Sequence, residues 1–190
     1  MSITLNKSEF AGFGQVATHC DINKLTQAIN EAAEFDMKPL LCDLYWEVEA
    51  AWDDSGSDDD LGDLINGGTY ENCNDVEVTH KGLRKMLVYY AYARYLYINQ
   101  TTDTATGMVT KQRDFSLPLS EKDLSSQESR YKNMGYAIWK DIQAFICKKG
   151  SDVFPNYNFT KCPDDCACGG SCGRPGVGSK RTKFKTISRD

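Results

Sequence analysis

Four cysteines, Cys162, Cys166, Cys168 and Cys172, fall within eleven residues, and their spacing is the sharpest chemical signal in the chain. Four thiolates suffice for a tetrahedral zinc ion, and Gly169, Gly170 and Gly173 would let the backbone wrap around it. The pattern C-x3-C-x-C-x3-C departs from the paired C-x2-C knuckles of zinc ribbons, and Asp164 and Asp165 oppose thiolate ligation electrostatically. Such a zinc would be structural, because four cysteine ligands leave no open position for a substrate. The same residues also allow a reduced flexible tail, or disulfides formed outside the cell. The remaining cysteines, Cys20, Cys42, Cys73 and Cys147, are scattered, as small buried apolar residues commonly are.

Other chemistry is thinly provided. His19 and His80 are the two histidines, and neither lies in a recognisable nucleophile or metal motif. The sequence shows no glycine-rich phosphate loop and no dinucleotide fingerprint. An enzyme built on a cysteine or a metal is therefore the weaker reading, and a non-enzymatic role is expected. Residues 53–63 hold six aspartates, yet they lack the EF-hand order of a glycine followed by a bidentate glutamate. A solvated acidic loop accounts for them better than a calcium site.

The elements that must position these residues belong to a body of ordinary globular composition. At 190 residues, 41% hydrophobic and 26% charged, the chain can bury a core without disulfide staples. No run approaches the roughly 20 apolar residues of a membrane helix, and the start of the chain lacks the pattern of a signal peptide. The expectation is a protein made in a reducing cytosol, without a membrane partner. Its charge is unevenly spread. The last seventeen residues set six cations against Asp190, a net +5, which leaves −10 on residues 1–173. An acidic body repels nucleic acid, whereas a basic tail can seek phosphates or an acidic neighbour.

Residues 1–19 read as an N-terminal arm without sustained period. Asp21 is a plausible helix cap, after which Ile22, Leu25, Ile29 and Ala32 recur at helical spacing. Pro39 is suited to open a second helix, with Leu41, Leu44, Tyr45, Val48 and Trp52 on its apolar face. A short helix at Leu61, Leu64 and Ile65 should close at the Asn66-Gly67-Gly68 turn, and Val76 and Val78 suggest a brief strand. The strongest helical pattern spans residues 83–98 and carries five tyrosines. Tyr89, Tyr92 and Tyr95 are candidate interface residues there, since tyrosine buries large area while keeping a polar handle.

Residues 99–119 are too rich in Thr, Ser and Gly for a helix and suggest a hairpin or extended excursion. Met108, Val109 and Phe115 are its candidate contacts. Ser120 and Asp123 signal the start of a last long helix through Tyr131, Met134, Ile138, Ile142 and Phe145, which Gly150 ends. Residues 159–190 form a Cys-rich basic tail, in which Phe184 and Ile187 could add a strand to a neighbour's sheet edge. The expected fold is mainly α: a small helical bundle over residues 20–158, with a protruding β-hairpin or extended arm and a Cys-rich C-terminal extension.

Several segments, in order, resemble the head–tail connector (adaptor) proteins of tailed bacteriophages, especially ring proteins from phages of Bacteroidetes and the crAss-like group. They are AINEAAEFDMKPLLCDLYWEV at 28–48, LINGGTY at 64–70, GLRKMLVYYAYARYLY at 82–97, TGMVTKQRDFS at 106–116, and the last helix with its exit at 131–157. The resemblance implies a virion structural protein of the neck, assembled in the host bacterial cytoplasm. About twelve copies would form a ring beneath the portal, joining the capsid vertex to the tail and continuing the DNA channel. Its implied partners are further copies of the chain, the portal protein and neighbouring tail ring proteins, with transient non-specific contact to passing DNA. The 99–119 excursion would be the docking arm, and no catalytic residues are implied. A dozen subunits at −5 each carry about −60 formally, which discourages DNA from sticking. The rival reading is a cytosolic zinc-containing regulator whose basic tail binds nucleic acid.

Overall fold

The computed structural model describes residues 3–13, 22–53, 59–72, 74–104, 107–110 and 120–161. The fold is mainly helical, with two small antiparallel hairpins set between the helices. Helix α1 (Ile22–Ala32) passes through a π-helical turn at Ala33–Met37 into α2 (Lys38–Leu41). Helices α3 (Leu44–Ala51) and α4 (Asp60–Asn66) follow, then the hairpin β1 (Gly68–Glu71) and β2 (Glu77–His80). The long helix α5 (Gly82–Gln100) is followed by the hairpin β3 (Thr101–Thr104) and β4 (Gly107–Thr110), and then by α6 (Glu121–Lys149). Among the described residues no helix is long and apolar enough to cross a membrane.

Helix α5 is the centre of the packing. Its Leu83, Met86, Leu87, Val88, Tyr90, Ala91 and Tyr92 are buried, with α1 and α6 as the main elements against it. The 3.6-residue period of α1 places Leu25, Ala28, Ile29 and Ala32 on the buried side. In α6 the same period buries Ile138, Ile142, Phe145 and Ile146. Helix α5 and helix α6 approach closely at Gly135, where a Cβ would lie 3.1 Å from the Tyr90 ring.

The local signals explain most element ends. Asp59 caps α4 by accepting from Gly62 N at 2.6 Å. Ser120 Oγ accepts from Asp123 N at 3.2 Å and opens α6; Gly150, at φ 81°, closes it with its N–H on Ile146 O. At the other end of α4, Gly67 and Gly82 have φ of 96° and 72° and press backbone on backbone. A Cβ on Gly82 would lie 2.2 Å from Gly67 N, so this junction accepts only glycine.

At four places the structure departs from these expectations or adds to them. The start of the chain is not a free-standing arm: residues 7–13 form a 3-10 helix, and Ile3 and Phe10 lie in the same core as the helices. The Trp52 indole N–H donates to Thr4 O at 2.6 Å and ties this segment down. Pro39 stands in the first turn of α2, as its sequence suggests, but α2 runs on directly from the π turn and ends after one turn. Proline has no N–H for the carbonyl four residues back and its ring crowds that oxygen, so the chain widens just before it. The result is the π turn, with Lys38 N–H bonded to Ala33 O, and the break comes instead at Cys42, where φ is 54°. The brief strand at Val78 has a partner that its own sequence did not announce, pairing Tyr70 with Val78 and Gly68 with His80. Finally, Asn99 is still helical, and the hairpin begins at Thr101.

Candidate interaction site

The tyrosine helix divides its aromatic residues between the core and the surface. Tyr92 and Tyr95 are only 2% and 5% exposed. Tyr92 meets Tyr131 edge to face, with ring centroids 4.8 Å apart. Burial pushes the phenols of Tyr90 and Tyr92 up to about 12. These rings are therefore spent on the interior of the fold. Tyr89, half-buried, keeps some surface outward and carries the Lys85 ammonium 5.7 Å from its ring centre.

The hairpin β3–β4 pairs Thr102 with Val109 and Asp103 with Met108. Its main packing is internal and against the end of α5, so it stands out from the bundle as an arm. Met108 and Val109 therefore sit on β4 of that arm. Phe115, Phe184 and Ile187 lie outside the described residues, as do Cys162, Cys166, Cys168 and Cys172 with their zinc expectation. Cys147, expected as a small apolar core residue, is 2% exposed and disulfide-bonded. Cys42 is half-buried, and its thiol donates to Pro39 O at 3.8 Å.

Among the exposed aromatics that the helical period does not single out, two lie close to one another in sequence. Phe35 is 65% exposed and Trp46 is 56% exposed, both on the α1–α3 side of the fold. Each is held by a cation: Arg94 lies 5.5 Å from the Phe35 ring centre, and the Lys38 ammonium 4.8 Å from that of Trp46. Arg94 also grips Asp36 with two bonds, at 2.6 and 3.1 Å, and faces Glu31 at 3.5 Å. The hydrogen bonds to Asp36 and its charge keep the guanidinium protonated against partial burial. This fork clamps the π turn onto α5 and fixes where Phe35 points. The one signal in the sequence was that both aromatics fall off the apolar period of their helices.

A profile described as a family of unknown function, DUF6712, matches residues 37–167. The chain belongs to that family. The matched stretch takes in α2 through α6 and both hairpins, so the arm and the tyrosine helix are features of the DUF6712 region. No curated protein and no solved structure matches the chain.

Within that region His80 is a second anomaly. It is 2% exposed at the end of β2, and neither ring nitrogen has a hydrogen-bond partner among the described residues. Its ring lies 4.4 Å from Phe145 and 6.0 Å from Tyr70, so it packs as an aromatic. Burial drives its pKa below the usual value, outweighing the opposite pull of Asp63 on α4 and Asp141 on α6. The unfolded chain therefore takes up a proton first as pH falls through about 6.5. Stability from this site is full above that pH and declines towards the lower folded value. Thermal melts between about pH 7 and pH 5 should show a falling midpoint that flattens in His80→Phe. An equal slope in both proteins would remove His80 as the cause.

Proposed function

We propose that the chain is a head–tail connector subunit of a tailed bacteriophage, forming a ring beneath the portal and continuing the DNA channel towards the tail. The resemblance of its ordered segments motivates this reading. The observation that supports it best is the β3–β4 arm, which leaves the bundle between its two longest helices. The resemblance assigns a docking arm to the same stretch. A two-stranded arm with most of its packing internal contributes little to its own subunit's core and is suited to reach a neighbour. The exposed Phe35 and Trp46, each held in place by a cation, offer aromatic anchors for lateral contacts in such a ring. The negative formal charge of each copy suits a conduit for DNA.

Quantitative mass spectrometry of purified particles tests the reading by counting this chain against the portal. Near-equal copies, about twelve of each, are expected. Presence in infected cells but absence from particles would overturn the connector assignment. That result would favour the regulator reading, in which the four clustered cysteines hold zinc and the basic tail binds nucleic acid.

A further inference from the structure

The two most exposed aromatic side chains among the described residues, Phe35 at 65% and Trp46 at 56%, lie on one stretch of chain, from the π turn to α3. That stretch is also strongly acidic. Residues 31–49 hold six acids against one cation, Lys38, a formal −5. Arg94 of α5 faces Glu31 and Asp36, which brings the sum to −4. Glu34 bonds Lys38 at 2.8 Å, and the same ammonium lies over the Trp46 ring, so the π turn and α3 present one surface. Asp43, at the start of α3, is exposed, and its side chain caps no backbone N–H.

The chain leaves the described fold beside this face. Beyond α6, Phe154 and Tyr157 enter the core, and between them the Asn156 amide donates to Glu47, the residue after Trp46. The Tyr157 ring meets Phe159 edge to face at 5.2 Å, and the last described turn ends at Lys161. Twenty-nine residues follow, 162–190. Within them the segment 180–187, Lys-Arg-Thr-Lys-Phe-Lys-Thr-Ile, carries four cations and no acid, with Phe184 between two lysines. The eighteen residues that lead to it can extend to about 60 Å, more than the roughly 44 Å of α6, the longest helix. Reach therefore does not limit where that segment can dock.

We propose that the segment 180–187 docks on the Phe35–Trp46 face of its own chain. Phe184 supplies apolar surface to the two rings, and the cations around it meet the acids of the π turn and α3. Exposed ion pairs and cation–π contacts are individually weak. Four cations on one short segment add their effects, and the tether makes the encounter intramolecular, which raises the effective concentration. The acids beside the exit also favour this occupant over a phosphate backbone, which they would repel. The inference rests on where the chain leaves the fold and on the charges of the two surfaces, and its test needs no ring. Within the connector reading, the tail would keep these aromatic anchors covered until a neighbouring copy displaces it.

Acrylamide quenching of tryptophan fluorescence in the full-length chain reads the contact. Of the three tryptophans, Trp52 and Trp139 are 1% and 3% exposed, so the quenchable emission belongs to Trp46, and Trp46→Phe should remove it. The docked tail should protect Trp46 at about 50 mM NaCl, and quenching should rise about twofold or more at about 1 M, where the ion pairs are screened. Lys183→Glu/Lys185→Glu and Phe184→Ala should each give a comparable rise at low salt. Asp43→Lys should raise quenching on its own, yet restore part of the protection when combined with Lys183→Glu/Lys185→Glu. Circular dichroism melts check that the variants stay folded. Quenching that ignores salt and every tail substitution would overturn the proposal and leave the face open. Protection that grows with protein concentration would overturn docking within one chain and assign the face to the tail of a second copy.

Discussion

Gly82→Ala should destabilise the fold by about 3 kcal/mol or more, while Gly150→Ala should cost only about 1 kcal/mol. Both glycines sit at positive φ, 72° and 81°, so an alanine meets similar backbone strain at each. What differs is space. A Cβ at residue 82 would lie 2.2 Å from Gly67 N, 2.4 Å from Asn66 C and 2.6 Å from Ile65 O, whereas one at residue 150 meets nothing within 4 Å. The obstructing atoms are backbone, which no rotamer change can move aside. Relief requires shifting α4 against α5, and with it the buried Leu64, Ile65 and Leu83. Urea denaturation of the two variants reads the difference directly. Equal costs would show that the junction yields, and that the strain alone matters.

Trp52→Ala should be comparably damaging, at about 3–5 kcal/mol. Trp52 is 1% exposed and joins three separate parts of the chain. Its indole N–H donates to Thr4 O, its ring faces the Arg84 guanidinium, and its carbonyl accepts from the same arginine. Truncation leaves a cavity and releases the N-terminal segment that carries Ile3 and Phe10. Trp52→Phe separates these contributions, because it keeps most of the apolar volume and removes only the indole N–H. Its expected cost is about 1–2 kcal/mol. For a chain of this length, 4 kcal/mol corresponds to a fall of roughly 10 °C in Tm. A Trp52→Ala loss below about 1 kcal/mol would show that the segment is held by other contacts.

The elements that could be read from the sequence are those whose causes are local. Helix α6 was bracketed by Ser120 and Gly150, and α4 by its apolar pair and the Asn66-Gly67 turn, because caps and glycines act within a few residues. The long helix α5 was visible from its period, although its tyrosines left open which rings point inward. That choice is made by Tyr131 and Gly135, some forty residues away on α6. The π turn was hidden because a proline within a helix is equally compatible with a new start. The buried N-terminal segment was hidden because its anchor, Trp52, is 48 residues distant. Of the candidate contacts, Met108 and Val109 fall on a hairpin as expected. Phe35 and Trp46 were passed over because a helical period picks out inward residues and gives no weight to those left outside.

The core draws on both ends of the described chain: Ile3 and Phe10 from the start, and Phe154 and Tyr157 from beyond α6, enter one continuous cluster. During synthesis the N-terminal pieces emerge long before the residues that complete their packing. A nascent chain of this protein accordingly holds Leu25, Ile29, Leu41 and Leu44 without their final neighbours until residue 157 has left the ribosome. Completion of the core is thereby postponed until residue 157 has emerged, and the early helices wait with their apolar faces uncovered.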